Sequence, residues 1–300
     1  MGVKATNKDY DRFAPKWKRT RDVIEGQDAI HKAGTAYLPK LKNEDDADYK
    51  ARVCRSDFFN GTWRTIDALS GMAFRKPPTV DVPKAIEPYL EDVTLAGVDM
   101  TSFARETVEE VLGPGRIGIL VDHPPAPGNV QALTVDVAQR LGLRPTLQHY
   151  MAESIRNWRF ARVNNAWVLS RVVLGEQHEV PKDEFESECI DRYRVLDLDE
   201  AGLYRQRVFE VRDQVDVLVE GPFYPLMNNN PLGFIPFYIV GAGGMNDCID
   251  EPPLIDLVDK NLAHYQVNSD YRHGGHYTAL PTLFLAGVTD EMGADGKPKQ

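Results

Sequence analysis

Cysteine is scarce in this sequence and nowhere paired. Cys54, Cys189 and Cys248 lie far apart, which argues against a disulfide framework or a cysteine-ligated metal and fits a reducing compartment. Long apolar runs are also missing. Nothing approaches the roughly 20 consecutive apolar residues that span a bilayer, so no membrane partner is expected. Met1 to Arg21 is polar and charged, unlike a secretory signal. Positive charge is in deficit, with 35 Lys and Arg against 45 Asp and Glu and a formal charge of −10. Tight duplex binding relies on clustered cations whose phosphate contacts release counterions, so a high-affinity DNA binder is not expected.

Catalytic signatures are equally thin. Gly113-Pro114-Gly115-Arg116 and Gly241-Ala242-Gly243-Gly244 are glycine-rich, but neither carries the Gly-Lys-Ser/Thr end of a P-loop or a dinucleotide fingerprint leading into a helix. Tight turns explain both. His273 and His276 are spaced to reach one metal from a helix, with His264 nearby, yet Gly274-Gly275 intervene and no carboxylate pair completes a site. Asp45, Asp46 and Asp48 could serve a metal-dependent nuclease, but at a helix start they are more simply caps and dipole partners. No Ser-His-Asp or Cys-His arrangement stands out. The sequence is therefore expected to be non-enzymatic, with no cofactor and no metal.

What is present is an ordinary globular composition, 42% hydrophobic and 27% charged over 300 residues, enough for two or three cores. Its texture changes twice. Residues 1–115 read as helical. Ala14 to Ala33 forms an amphipathic stretch broken at Gly34 and the Tyr37-Leu38-Pro39 turn. A long helix is predicted from Asp46 to Phe74, with Tyr49, Val53, Phe58 or Phe59, Trp63, Ile66 and Leu69 as its stripe, ending before Lys76-Pro77-Pro78. Two shorter helices are predicted at Val82–Leu95 and Thr101–Leu112. The second is capped by Thr101 or Ser102, with Glu106, Glu109 and Glu110 outward. Trp63, Trp158 and Trp167 are assigned to the core or to subunit contacts.

Residues 116–250 shift to strand period. Arg116–Asp122 is one strand. An irregular stretch occupies Pro124–Arg144. Ala166–Leu174, Cys189–Leu198, Leu203–Val211 and Val215–Glu220 form an antiparallel meander with a turn at Asp199–Gly202. Phe234–Val240 is a last strand. At 251–278 the acids and prolines of Asp250–Pro253 open a helix whose stripe is Leu254, Leu257, Val258, Leu262 and Tyr265. To Arg272 it would measure about 30 Å, with Gly274-Gly275 ending or loosening it. Pro281–Val288 then reads as a strand, and Asp295-Gly296 as a hairpin turn whose return strand would lie past Gln300.

Pro253 to Val288, PLIDLVDKNLAHYQVNSDYRHGGHYTALPTLFLAGV, resembles the stem-helix segment of tailed-bacteriophage portal proteins. Tyr37-Leu38-Pro39, the Tyr49–Pro77 helix, GRIGILVDHP at 115–124 and YMAESIRNW at 150–158 resemble, in the same order, a portal-like family formerly known only as a domain of unknown function. The resemblance implies an α+β portal fold: a helical and β-rich wing at 1–250, a stem helix at 251–278 and the start of a β clip at 279–300. The second stem helix, tunnel loop and crown are not found, which makes the chain look C-terminally incomplete. It further implies a subunit of a head-to-tail connector, a ring of about twelve copies at one capsid vertex of the virion, assembled in the host cytoplasm. Its partners would be the major capsid protein, the terminase large subunit, a head-tail adaptor, and double-stranded DNA passing without sequence specificity. The acidic balance suits a conduit, since tight phosphate contacts would brake sliding DNA. Asp256, Asp259, Lys260 and Asn268 are the channel-lining candidates. The alternatives are another structural head protein with a portal-like wing and a metal-dependent nuclease.

Overall fold

The computed structural model describes residues 2–123, 142–163, 165–227, 230–244 and 248–279. The chain is α+β. Helix α1 (Lys8–Glu25) starts where the Asn7 side chain accepts from Asp9 N, and it buries Tyr10, Phe13, Trp17, Thr20 and Val23 at intervals of three and four, the period of one helical face. The break falls at Gly26 rather than first at Gly34. Gly26 has φ +102° and its N–H closes on Asp22 O, a conformation open to glycine alone at low cost. Helix α2 (Gln27–Ala33) follows it.

The single helix expected over Asp46–Phe74 is two: α3 (Asp46–Arg55) and α4 (Gly61–Ala73). The first helix ends at Ser56, which turns extended (φ −87°, ψ 121°), and Asn60 starts the second. Its side chain caps α4 through Trp63 N and donates to Ile24 O, and the break lets Phe58 turn into the core against Tyr265, ring centroids 5.8 Å apart. Asp45 caps α3 through Asp48 N. The helix expected at Val82–Leu95 shrinks to one 3₁₀ turn, Glu87–Glu91, because Pro88 has no N–H and constrains the residue before it. Helix α5 (Met100–Leu112) is capped by Asp99, accepting from Thr101 N and Ser102 N, and not by Thr101 or Ser102. Glu106 is exposed, but Glu109 and Glu110 are half-buried. Glu110 pairs with Arg21, while Glu109 accepts from Arg105 and Ser70.

Strand β1 (Arg116–Asp122) matches its expected bounds and lies between β2 (Thr146–Met151) and β10 (Phe237–Gly241) in an antiparallel sheet of order β10-β1-β2. The meander is a five-stranded antiparallel sheet, β3 (Ile155–Val163), β4 (Ala166–Pro181), β5 (Ser187–Leu198), β6 (Tyr204–Arg212) and β7 (Val215–Phe223), in sequence order. A two-residue pair, β8 (Leu226–Met227) and β9 (Asn230–Pro231), follows. The last described helix, α6, spans Ile255–Thr278. Most of the irregular stretch expected at Pro124–Arg144, the strand at Pro281–Val288, the Asp295-Gly296 turn and nearly all of the clip at 279–300 lie outside the described residues.

One core joins α1 to both sheets: Tyr10, Phe13 and Trp17 meet Leu120, Tyr150, Ile155, Trp158, Val172, Leu196, Tyr204 and Phe237. Gly118 is required where these sheets close, since a Cβ there would sit 2.3 Å from Phe237 Cζ. A second core is helical, with Val23, Ile30, Leu38 and Phe58 packed on Val258, Leu262 and Tyr265 of α6. Trp158 is in the first core, while Trp63 and Trp167 are exposed.

Candidate functional site

The 24 residues of α6 make a rod about 36 Å long. Its start departs from expectation. Leu254 stands at the cap without a side-chain bond; Asp250 instead accepts from Gly243 N, and Glu251 pairs with Lys16. Nor does Gly274-Gly275 end it. The helix continues to Thr278, whose hydroxyl donates to Gly274 O. Exposed helical glycines cost only about 1 kcal/mol each against alanine, which does not break an otherwise formed helix.

One face of α6 is locked to α3, α4 and the segment between them by a polar clamp set among apolar residues. Asn261 Oδ1 accepts from Gly61 N (2.9 Å), Thr62 N (3.0 Å) and Thr62 Oγ1 (3.2 Å), and its Nδ2 donates to Phe59 O (2.7 Å). It is thus a second cap on α4, supplied from 200 residues away in sequence. Two turns further on, Ser269 Oγ lies 2.7 Å from Ser56 Oγ and accepts from Arg52 Nη1. Arg52 and Glu44 form a bidentate pair (2.7 and 2.8 Å) with side chains 1% and 5% exposed. The Arg52 guanidinium holds the Glu44 carboxyl down at about 2.

The sequence reading missed this clamp. The signal was there: positions 261 and 269 lie on the stripe of Val258, Leu262 and Tyr265, so polar residues fell where apolar ones were due. Replacing Asn261 by leucine strands the Thr62 N–H and hydroxyl and leaves Gly61 N and Phe59 O with only each other, 2.9 Å apart, and a buried unpaired polar group costs about 1–3 kcal/mol. The expected result is a loss of about 2 kcal/mol in denaturant-monitored stability with the secondary structure intact.

Opposite the clamp, α6 is open. Asp256, Asp259, Lys260, His264, Val267, Asp270, Tyr271 and Tyr277 are exposed. Of the channel candidates, Asp256, Asp259 and Lys260 cluster within one turn, with Asp259 also paired to Arg19 at 3.1 Å. Asn268 does not join them. It is half-buried on the clamp side, donating to Asp57 O and accepting from Arg272 Nε. His273 and His276 flank the ring of Tyr277 at 4.9 and 5.5 Å between centroids, and no group of three His, Cys, Asp or Glu suited to a metal occurs among the described residues. No described helix is long and apolar enough to cross a membrane.

Residues 253–300 match the model of a domain of unknown function, DUF4055, a match that begins at the root of α6. No curated protein matches the chain.

Proposed function

We propose that this chain is a subunit of the ring-shaped portal, the head-to-tail connector of a tailed bacteriophage, and that its role is mechanical rather than catalytic. The observation that carries the reading is α6: a long helix clamped along one face to a helical layer and carrying an open, largely polar face along its length. A helix held in this way can line a passage without losing its own packing. The ordered blocks of resemblance, from Tyr37 to Val288, supply the rest of the case.

In this reading copies pack head to tail around a closed rotation, and the Asp256–Lys260 turn faces the duplex. The mixed charge there, two carboxylates beside Lys260 and the Arg19 paired to Asp259, offers phosphates no cationic cluster to grip, so DNA slides instead of sticking. The ring would sit at one vertex of the virion and bind the major capsid protein. It would meet the terminase large subunit during filling and the head-tail adaptor afterwards.

Negative-stain imaging with mass photometry tests the reading. The expected result is rings with a central hole and a mass near about twelve chains, the number implied by the resemblance. A protein that stays monomeric, or closes as a dimer, overturns it.

A further inference from the structure

The five-stranded sheet carries opposite charge at its two ends. Strands β4 and β5 outrun their neighbours: β3 pairs with β4 only from Ala166 to Leu174, and β6 pairs with β5 only from Arg192 to Leu198. Beyond those points Gln177–Asp191 continues as a two-stranded arm paired to itself alone. Nearly every residue of it is exposed. It holds six carboxylates against one lysine, half of the chain's net charge of −10. Phe185 stands at its tip, 90% exposed.

At the other end, on the sheet face turned away from α1, register places Arg159, Arg171, Asp197 and Arg205 in one row across four strands. Arg207 lies on the same face two residues along β6. Asp197, almost wholly buried, is taken by Arg205 (3.0 Å) and Arg207 (2.9 Å). Asp199, nearby, is occupied by the turn it forms with Ala201 N and Leu203 N. Arg159 and Arg171 are exposed and directly opposed, without a bonded carboxylate among the described residues. Like charges facing each other across strands oppose pairing, so the row is short of anions.

The arm cannot supply them within its own chain. From Arg171 to Pro181 is ten residues of one continuous strand, about 33 Å, and a strand does not fold back on itself. We infer that the acidic arm of one copy docks on the arginine face of the next. Donor and acceptor are different patches of one chain, so the contact is heterologous and propagates head to tail. The inference names a surface for the subunit packing proposed above, and in that respect rests on it.

Charge exchange tests it. Glu184 and Glu188 on the arm are changed to arginine in one variant, and Arg159 and Arg171 to glutamate in another. All four are exposed, and circular dichroism checks the fold. Each variant alone should assemble at least tenfold more weakly than the wild type. An equimolar mixture should recover assembly, because each reversed patch then meets its complement. Wild-type assembly should also weaken in 1 M salt, where screening shortens to about 3 Å. If rings form undiminished in both variants, the docking contact is wrong and the portal reading stands. If open chains without a central hole obey the same exchange, the contact stands and the portal reading falls. A wild-type chain that never self-associates overturns both. If the Arg159/Arg171 variant assembles normally but loses binding to a duplex DNA probe, the face belongs to nucleic acid and the inference fails.

Discussion

Arg52→Ala is expected to lower stability by about 3–5 kcal/mol, the usual cost of leaving one member of a buried ion pair alone. Against a typical total of about 5–15 kcal/mol this is severe. The loss has three parts. Glu44 keeps a carboxylate that is 5% exposed with no guanidinium beside it, Pro39 O loses its donor, and Ser269 of α6 loses one of two partners. A pH series separates the charge from the packing. Arg52 depresses the Glu44 carboxyl from 4.5 to about 2, so the pair's contribution is full above about pH 4.5 and is lost as pH falls toward about 2. In the variant that window should flatten, since an unpaired buried carboxyl protonates early. Urea midpoints measured between pH 2 and 7 on both proteins check this. Changing Glu44 and Arg52 together to leucine and methionine should recover most of the loss, because well-packed apolar replacements of a buried pair are often neutral. If the double variant is as weak as the single one, the pair's charge was not what mattered.

The elements that were legible in the sequence are those whose apolar pattern was clean. RIGILVD between two turn signals gave β1 to the residue, and the Asp199–Gly202 turn with its flanking runs gave the β5–β6 hairpin. Strand β3 was missed because IRNWRFARV interleaves three arginines with its apolar residues, and its inward Ile155, Trp158 and Phe160 do not alternate evenly, a register shift falling between Ile155 and Asn157. The Asp46–Phe74 stretch kept helical spacing across its break, so only the polar residues at its two ends, Ser56 closing α3 and Asn60 capping α4, marked the boundary. The site was legible in outline alone. Stripe and open face of α6 followed from period, while the clamp depends on Asn261 meeting Gly61 and on Arg52 meeting Ser269. Those contacts are made by tertiary folding; the local pattern marks only that positions 261 and 269 are polar on an otherwise apolar stripe.

Trp17→Ala is the second large effect expected, again about 3–5 kcal/mol for loss of a buried tryptophan, and so a fall of about 5–8 °C in Tm for a chain of 300 residues. Trp17 is fully buried, edge-on to Tyr10 at 5.6 Å and stacked with Phe13 at 6.2 Å. Its position makes the loss more than local. Helix α1 gives Tyr10, Phe13 and Trp17 to the sheet core and Val23 to the helical core that holds α6. It is the rod through which the two cores share cooperativity. Trp17→Phe should behave differently. The indole Nε1–H is buried without a partner among the described residues, so phenylalanine leaves a smaller cavity than alanine and also removes an unsatisfied donor, and should cost less than half of the alanine loss. Calorimetry on the three proteins decides the matter. A phenylalanine variant as damaged as the alanine variant would mean that the indole N–H is bonded after all. A mild phenylalanine variant beside a crippled alanine variant would locate the effect in ring volume. Under the portal reading, that volume is what transmits the position of the sheet, and of anything docked on its arginine face, to the helix that would line the channel.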